Sequence, residues 1–287
     1  MVARLRTEGW AISPTFELLD AGVRVATDVA GLLPLLEALF GHTVGERADA
    51  DLEFMVGHAL GPDGPGYFVA RDGVVLVRTP GPTVAFAHLV FEANQQAIIR
   101  SSGQLRLHAS AVARGADTIV CAGAMGAGKS TLAAGLMRRG FEYVTDEVVA
   151  IGGAGTVRRY AKPLSLGVPP AALGPIEWVP PENSAGFLGA SGLVPPEAVG
   201  SVSRGAELHP ALIVLPRYRR GAPTRVREFV GVDAVEAVAA HAFHLDEPGV
   251  MARLVEFLRD VPCLEIESGD LDEACDAVIA AAGIRSL

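Results

Sequence analysis

The sequence predicts an α/β fold, and three observations carry that expectation. The apolar run Asp117–Ala122 leads through a glycine-rich turn, 123–128, into a helical stretch. Short β-branched runs alternate with segments of helical periodicity along the chain, the pattern of mixed α/β architecture. Half of the 287 residues are hydrophobic and only 20% are charged, which suits a folded chain with a substantial core.

The elements follow in order. Phe16–Leu19 and Val23–Ala26 read as strands around a turn at 20–22, and Leu32–Phe40 reads as a helix. Residues 61–66, rich in glycine and proline, read as a loop. Tyr67–Ala70 and Val74–Arg78 then form a hairpin that turns at 71–73, where Asp-Gly is a strong turn signal. Val84–Ile99 reads as a helix, and Gly103 marks the expected boundary between an N-terminal α+β region, 1–103, and a second domain, 104–287. That domain begins with strands Leu105–Val112 and Asp117–Ala122. A helix follows over Ser130–Arg139, with basic residues in its last turn and Gly140 as its stop. Phe141–Thr145 and Val148–Ile151 are strands around an acidic pair. Residues 169–196 are expected to be a mobile loop or lid. Ala211–Leu215 is a buried strand, Val232–Phe243 and Val250–Leu258 are helices, Pro262–Glu267 is the last strand, and Leu271–Ala282 is a closing amphipathic helix.

Gly123-Ala124-Met125-Gly126-Ala127-Gly128-Lys129-Ser130 fits G-x-x-x-x-G-K-[ST] without mismatch. Glycines let such a loop turn tightly and aim its N–H groups at phosphate oxygens, and the following helix N-terminus adds a favourable dipole. Lysine is rare here, with two residues against 33 glycines, so a chance match is improbable. Lys129 is expected at the β- and γ-phosphates, Ser130 at Mg²⁺, and Thr131 beside the phosphates. The implied cofactors are ATP, or another nucleoside triphosphate, and Mg²⁺.

Composition excludes several classes. A net charge of −9 leaves no electrostatic footprint for nucleic acid. No apolar run is long enough for a membrane span, and residues 1–10 lack the apolar core of a signal peptide, so a cytoplasmic protein is expected. Cys121, Cys263 and Cys275 are scattered without metal-ligand spacing and read as reduced core thiols.

His108 lies on the strand before the loop, and Asp146-Glu147 follows Lys129 by seventeen residues at the end of an apolar strand. The order of His108, the loop, Arg139-Gly140 and Asp146-Glu147 resembles the HPr kinase/phosphorylase family and its HPr-kinase-like relatives. The resemblance is close over about residues 105–151 and weaker through Lys162–Leu166, 210–216 and 261–274. The family's glycine-rich downstream signature is not found, and residues 1–100 match no motif. The chain is therefore most similar to divergent relatives encoded with ribosomally made peptides such as lasso peptides. The resemblance implies a P-loop kinase core of the HPr kinase / phosphoenolpyruvate carboxykinase type, a mixed sheet with flanking helices. It also implies a phosphotransferase with an alcohol acceptor, acting on a serine of a peptide or protein.

Phosphoryl transfer needs charge neutralisation, in-line positioning and a group to take the hydroxyl proton. Asp146 is the expected base, Glu147 with Ser130 the expected metal ligands, and His108 the group that tunes the base. Lys129 completes the catalytic set. Arg158, Arg159, Lys162, Arg217, Arg219 and Arg220 are weaker candidates for an extra cation. A small-molecule hydroxyl kinase and a non-catalytic nucleotide switch remain the alternatives. Assembly into a homo-oligomer is left open, and residues 1–103 are assigned to substrate recognition or to completing the core.

Overall fold

The computed structural model describes residues 8–45, 47–61, 64–166, 171–188, 192–204 and 207–283. It is an α/β structure with mixed sheets and flanking helices. The chain divides into two compact units, Met1–Ser101 with Trp178–Pro195, and Ser102–Glu177 with Pro196–Leu287. The expected single boundary at Gly103 is thus corrected. The chain leaves the first unit at 101, and residues 178–195 rejoin it.

The first unit holds β1 (Ala11–Ile12), β2 (Phe16–Leu18), β3 (Ala21–Thr27), α1 (Leu32–Phe40), β4 (Leu52–Gly61), β5 (Gly64–Arg71), β6 (Val74–Thr79) and α2 (Pro82–Arg100). Its sheet runs β1-β3-β4-β5-β6, with β2 also on β3. Strands β3 and β4 are parallel because α1 crosses between them, while the other pairs are antiparallel. Phe54, Val56, Val69, Leu32, Leu35, Leu39, Phe86 and Leu89 fill the core. The loop expected over 61–66 is instead the end of a hairpin, with Gly61 paired to Gly64; residues 62–63 lie outside the described residues. The segment expected to be a mobile loop or lid carries some structure of its own. It contains the short helix Ala185–Leu188, whose Phe187 ring meets Phe86 edge-on at 6.3 Å in the first unit. Thr83 donates to the Gly186 carbonyl at 2.6 Å. Residues 169–170 and 189–191 of that segment, and 1–7 at the N-terminus, lie outside the described residues.

The second unit holds β7 (Leu105–Arg114), β8 (Asp117–Ala122), α3 (Lys129–Met137), β9 (Glu142–Thr145), β10 (Val148–Ile151), β11 (His209–Tyr218), β12 (Arg225–Phe229), α4 (Gly231–Ala239), β13 (Ala242–Phe243), α5 (Val250–Asp260), β14 (Cys263–Ser268) and α6 (Leu271–Ala281). Its sheet runs β10-β7-β8-β11-β14-β12, with β9 and β13 also on β7. Strands β8, β11 and β14 are mutually parallel, and β7 and β12 flank them antiparallel. The helix expected over Val232–Phe243 stops at Ala239; Ala242 and Phe243 pair with Leu107 and Arg106 instead.

Strand alternation sorts β7 onto two faces. Leu105, Leu107, Ala109, Ala111 and Ala113 join Val238 of α4 and Val250 and Leu254 of α5 in one buried cluster. The intervening His108 and Ser110 are thereby directed to the opposite face, toward α3. Gly135 of α3 permits close packing on α6, since a Cβ there would lie 2.7 Å from Cys275 Sγ. Among the described residues, no helix is long and apolar enough to cross a membrane.

Candidate functional site

The 123–128 loop joins the buried strand β8 to α3, as the motif requires. Gly126 (φ 79°) and Gly128 (φ 101°) adopt the left-handed conformation that favours glycine. The Gly123 N–H donates to the His108 carbonyl at 3.3 Å, and the Ala127 N–H to the Ala124 carbonyl at 3.2 Å. Ala124, Met125 and Gly126 stand exposed at the tip. Lys129 is buried and donates from Nζ to the Ala124 carbonyl at 3.0 Å, folding back along the loop. Its backbone carbonyl accepts from Ser110 Oγ at 3.0 Å, so β7 fixes the start of α3.

Strands β9 and β10 are one strand interrupted at Asp146-Glu147. Thr145 pairs with Ala111, Val148 pairs with His108, and the acids span the gap. Glu147 has φ 85°, a strained value for a side-chain-bearing residue. Both acids consequently line one cleft with the loop, instead of alternating across the sheet.

Asp146 is 2% exposed. Its carboxylate accepts from Ser130 Oγ, which lies 2.9 Å from both oxygens, and from the Ser165 N–H at 3.2 Å. Glu147 sits between two cations or potential cations, with His108 Nε2 at 3.6 Å and the buried Lys162 Nζ at 3.8 Å. Burial, reinforced by Lys129 and Lys162, holds His108 below the ordinary imidazole range against the pull of Glu147 and Asp146. Burial likewise lowers Lys129 while Asp146 and Glu147 oppose it. Cys121, fully buried beneath the loop, is pushed up to about 12 by desolvation and is not a nucleophile at neutral pH.

The cleft has a volume of about 790 Å³. It runs from His108, Lys129, Ser130, Asp146 and Glu147 past Thr131 to Arg217 and Tyr218 at the end of β11 and to Gly269–Leu271 before and in α6. Of the expected site residues, His108, Met125 to Thr131, Asp146 and Glu147 line this one cleft, while Gly123 and Ala124 belong to the loop without lining it. Among the weaker candidates, Lys162 joins Glu147, and Arg217 lines the cleft with its Nε 3.6 Å from Glu267. Arg219 lies at the same distance from Glu267, and Arg158 is tied by its backbone to β10. Arg220 is exposed. Sequence inspection passed over Ser165 and Tyr218. The carboxyl-end position of Tyr218 on a strand parallel to β8 would have marked it.

The residues present fit a nucleoside triphosphate with Mg²⁺. A hydroxyl and a carboxylate converge at the start of α3, beside a lysine and a positive helix end. Mg²⁺ is commonly held by one or two carboxylates plus phosphates, without an all-protein cage. Among the described residues no group of three or more His, Cys, Asp or Glu is placed to hold a metal ion. No family model matches the chain, and no curated protein matches it.

Proposed function

We propose that this protein is a Mg²⁺-dependent, HPr-kinase-like serine kinase. It transfers the γ-phosphoryl group of ATP or another nucleoside triphosphate to a serine hydroxyl of a peptide or protein, with a ribosomally made precursor as the preferred class. The observation that carries this reading is the buried Asp146, held against Ser130 beside a glycine-rich loop whose lysine is also buried.

The roles follow from chemistry. The loop N–H groups and Lys129 bind and orient the phosphates, which carry the charge that transfer redistributes. Bound Mg²⁺ would neutralise β- and γ-phosphate charge, held by Ser130 and Glu147. Asp146 takes the acceptor's proton, poised by its two donors, Ser130 Oγ and the Ser165 N–H. His108 and Lys162 fix the Glu147 carboxylate from either side.

The test is mass spectrometry of an acceptor panel incubated with the protein, Mg²⁺ and ATP, with Asp146→Asn as control. The panel holds serine-bearing precursor peptides, HPr and small alcohols. One phosphate on a peptide serine, absent with Asp146→Asn, is the expected result. Phosphate only on a small alcohol would replace the acceptor class. Bound nucleotide with no transfer to any acceptor would turn the site into a switch.

A further inference from the structure

The acids occupy only one side of the loop. They come from β9 and β10, on the β7 side of β8. A triphosphate seated with its terminal group toward Asp146 must carry its nucleoside away from that side. The other side is formed by the carboxyl ends of β11 and β14, both parallel to β8, where ligands of open α/β sheets characteristically settle.

That end of the cleft is built differently. Tyr218 ends β11, is 61% exposed and lines the cleft; its N–H donates to the Ala127 carbonyl at 3.1 Å, tying it to the loop. A Cβ on Gly128 would stand 3.6 Å from Tyr218 Cβ, so the tyrosine rises directly beside the glycine turn. Met125, 92% exposed, also lines the cleft, and its flexible thioether adapts to flat surfaces. Leu271 and Ala274 of α6 complete the wall.

Several polar groups nearby are engaged with the protein, and Arg217, which also lines the cleft, faces Glu267 at 3.6 Å. Ser268 Oγ is hydrogen-bonded with Thr224 Oγ1 at 2.8 Å and donates to the Asp270 carbonyl at 2.8 Å. The Asp270 carboxylate caps α6 by accepting from the Glu273 N–H at 3.0 Å, and the Gly269 N–H donates to the Ala222 carbonyl at 3.1 Å. A ligand here meets an aromatic face and aliphatic groups more than free donors and acceptors.

We infer that Tyr218, with Met125, Leu271 and Ala274, forms a nucleobase subsite that stacks the base of the bound triphosphate and discriminates little between adenine and guanine. This rests on the triphosphate reading of the loop. A base–aromatic stack is removed by alanine at a cost of about tenfold in affinity or somewhat more, whichever base is bound.

The test is calorimetric titration of ATP, GTP and inorganic tripolyphosphate, each with Mg²⁺, into the wild-type chain and three variants. Tyr218→Ala is expected to weaken ATP and GTP about tenfold each and to leave tripolyphosphate unchanged. Ala274→Leu, which fills the wall, is expected to do the same. Lys129→Ala is expected to weaken all three, which tests the phosphate site independently of the base. Equal losses for tripolyphosphate and ATP in Tyr218→Ala, an unchanged ATP affinity in both Tyr218→Ala and Ala274→Leu, or a wild-type preference for one base beyond about a hundredfold would overturn the subsite. Tripolyphosphate binding lost in Lys129→Ala would leave the loop's role standing even then. No binding of any of the three to the wild-type chain would overturn both.

Discussion

At the scale of single residues, Asp146 and Glu147 show how much the backbone decides. Neighbours in a strand point to opposite faces. These two share one cleft because Glu147 turns through φ 85° and breaks the strand between Thr145 and Val148. The acid pair was legible in the sequence from its spacing after Lys129. The left-handed turn was not, since no glycine or asparagine stands there to announce it. Two substitutions separate the roles. Lys129→Ala removes a buried ammonium and is expected to weaken nucleotide binding roughly 10–100-fold, the worth of a charged hydrogen bond. Equilibrium titration checks it, and unchanged affinity and turnover would discredit the phosphate site. Asp146→Asn is expected to keep nucleotide binding while transfer falls roughly 10²–10⁴-fold, the contribution of a positioned base. Loss of Mg²⁺-dependent binding in place of turnover would make Asp146 a metal ligand, a role its contact with Ser130 also suits.

At the scale of elements, the motif strand β8, helices α1 and α6 and the hairpin β5–β6 were legible, because periodicity and turn chemistry agreed there. Strand β12 was missed. All but Phe229 of its Arg-Val-Arg-Glu-Phe run is exposed at the sheet edge, so no apolar alternation marks it. Ala242–Phe243 was misassigned to a helix because pairing with β7 outweighs local periodicity. The α3–α6 contact carries its own expectation. A Cβ at Gly135 would lie 2.7 Å from Cys275 Sγ and 3.0 Å from Leu271 Cδ1. Gly135→Val should therefore cost about 1–3 kcal/mol by overpacking and lower Tm by several degrees in calorimetry. The turn before β7 is held to the segment before α5 by Glu247, which accepts from the Gly103 N–H at 3.1 Å and pairs with the buried Arg106 at 2.7 Å. These contacts, the Arg106 hydrogen bond first, hold its carboxyl below the usual 4.5. A lowered carboxylate stabilises the fold fully above its unfolded value and loses that contribution as pH falls through its folded value. Melting curves of Glu247→Gln and the wild type should differ most near neutral pH and converge below about pH 4.5. A gap that persists in acid would assign the effect to packing.

At the scale of the whole molecule, the two-region organisation was legible from the motif-free first hundred residues, but the return of 178–195 was not. That segment is rich in proline, glycine and alanine and carries no strong period. Its membership is set by packing of Phe187 on Phe86 and by the Thr83–Gly186 hydrogen bond. A fragment covering 102–287 would keep Phe187 and Leu188 without the helix they cover, and is expected to aggregate or bind a hydrophobic dye. The same fragment with 178–195 replaced by a short Gly-Ser linker should be soluble and should keep tripolyphosphate binding. Equal behaviour of the two fragments by light scattering would remove the segment from the first unit's core.

That return also orders events on the ribosome. Domains generally fold as units, the N-terminal one first, as the chain emerges at about 5–20 residues per second. Here the first unit cannot close when Ser101 is made, because its last segment begins at Trp178. The intervening residues take roughly 4–15 s to synthesise at that rate. Throughout that interval Phe86 lacks the Phe187 ring it meets in the folded chain, so closing the first unit's core waits on a residue made long after its last helix.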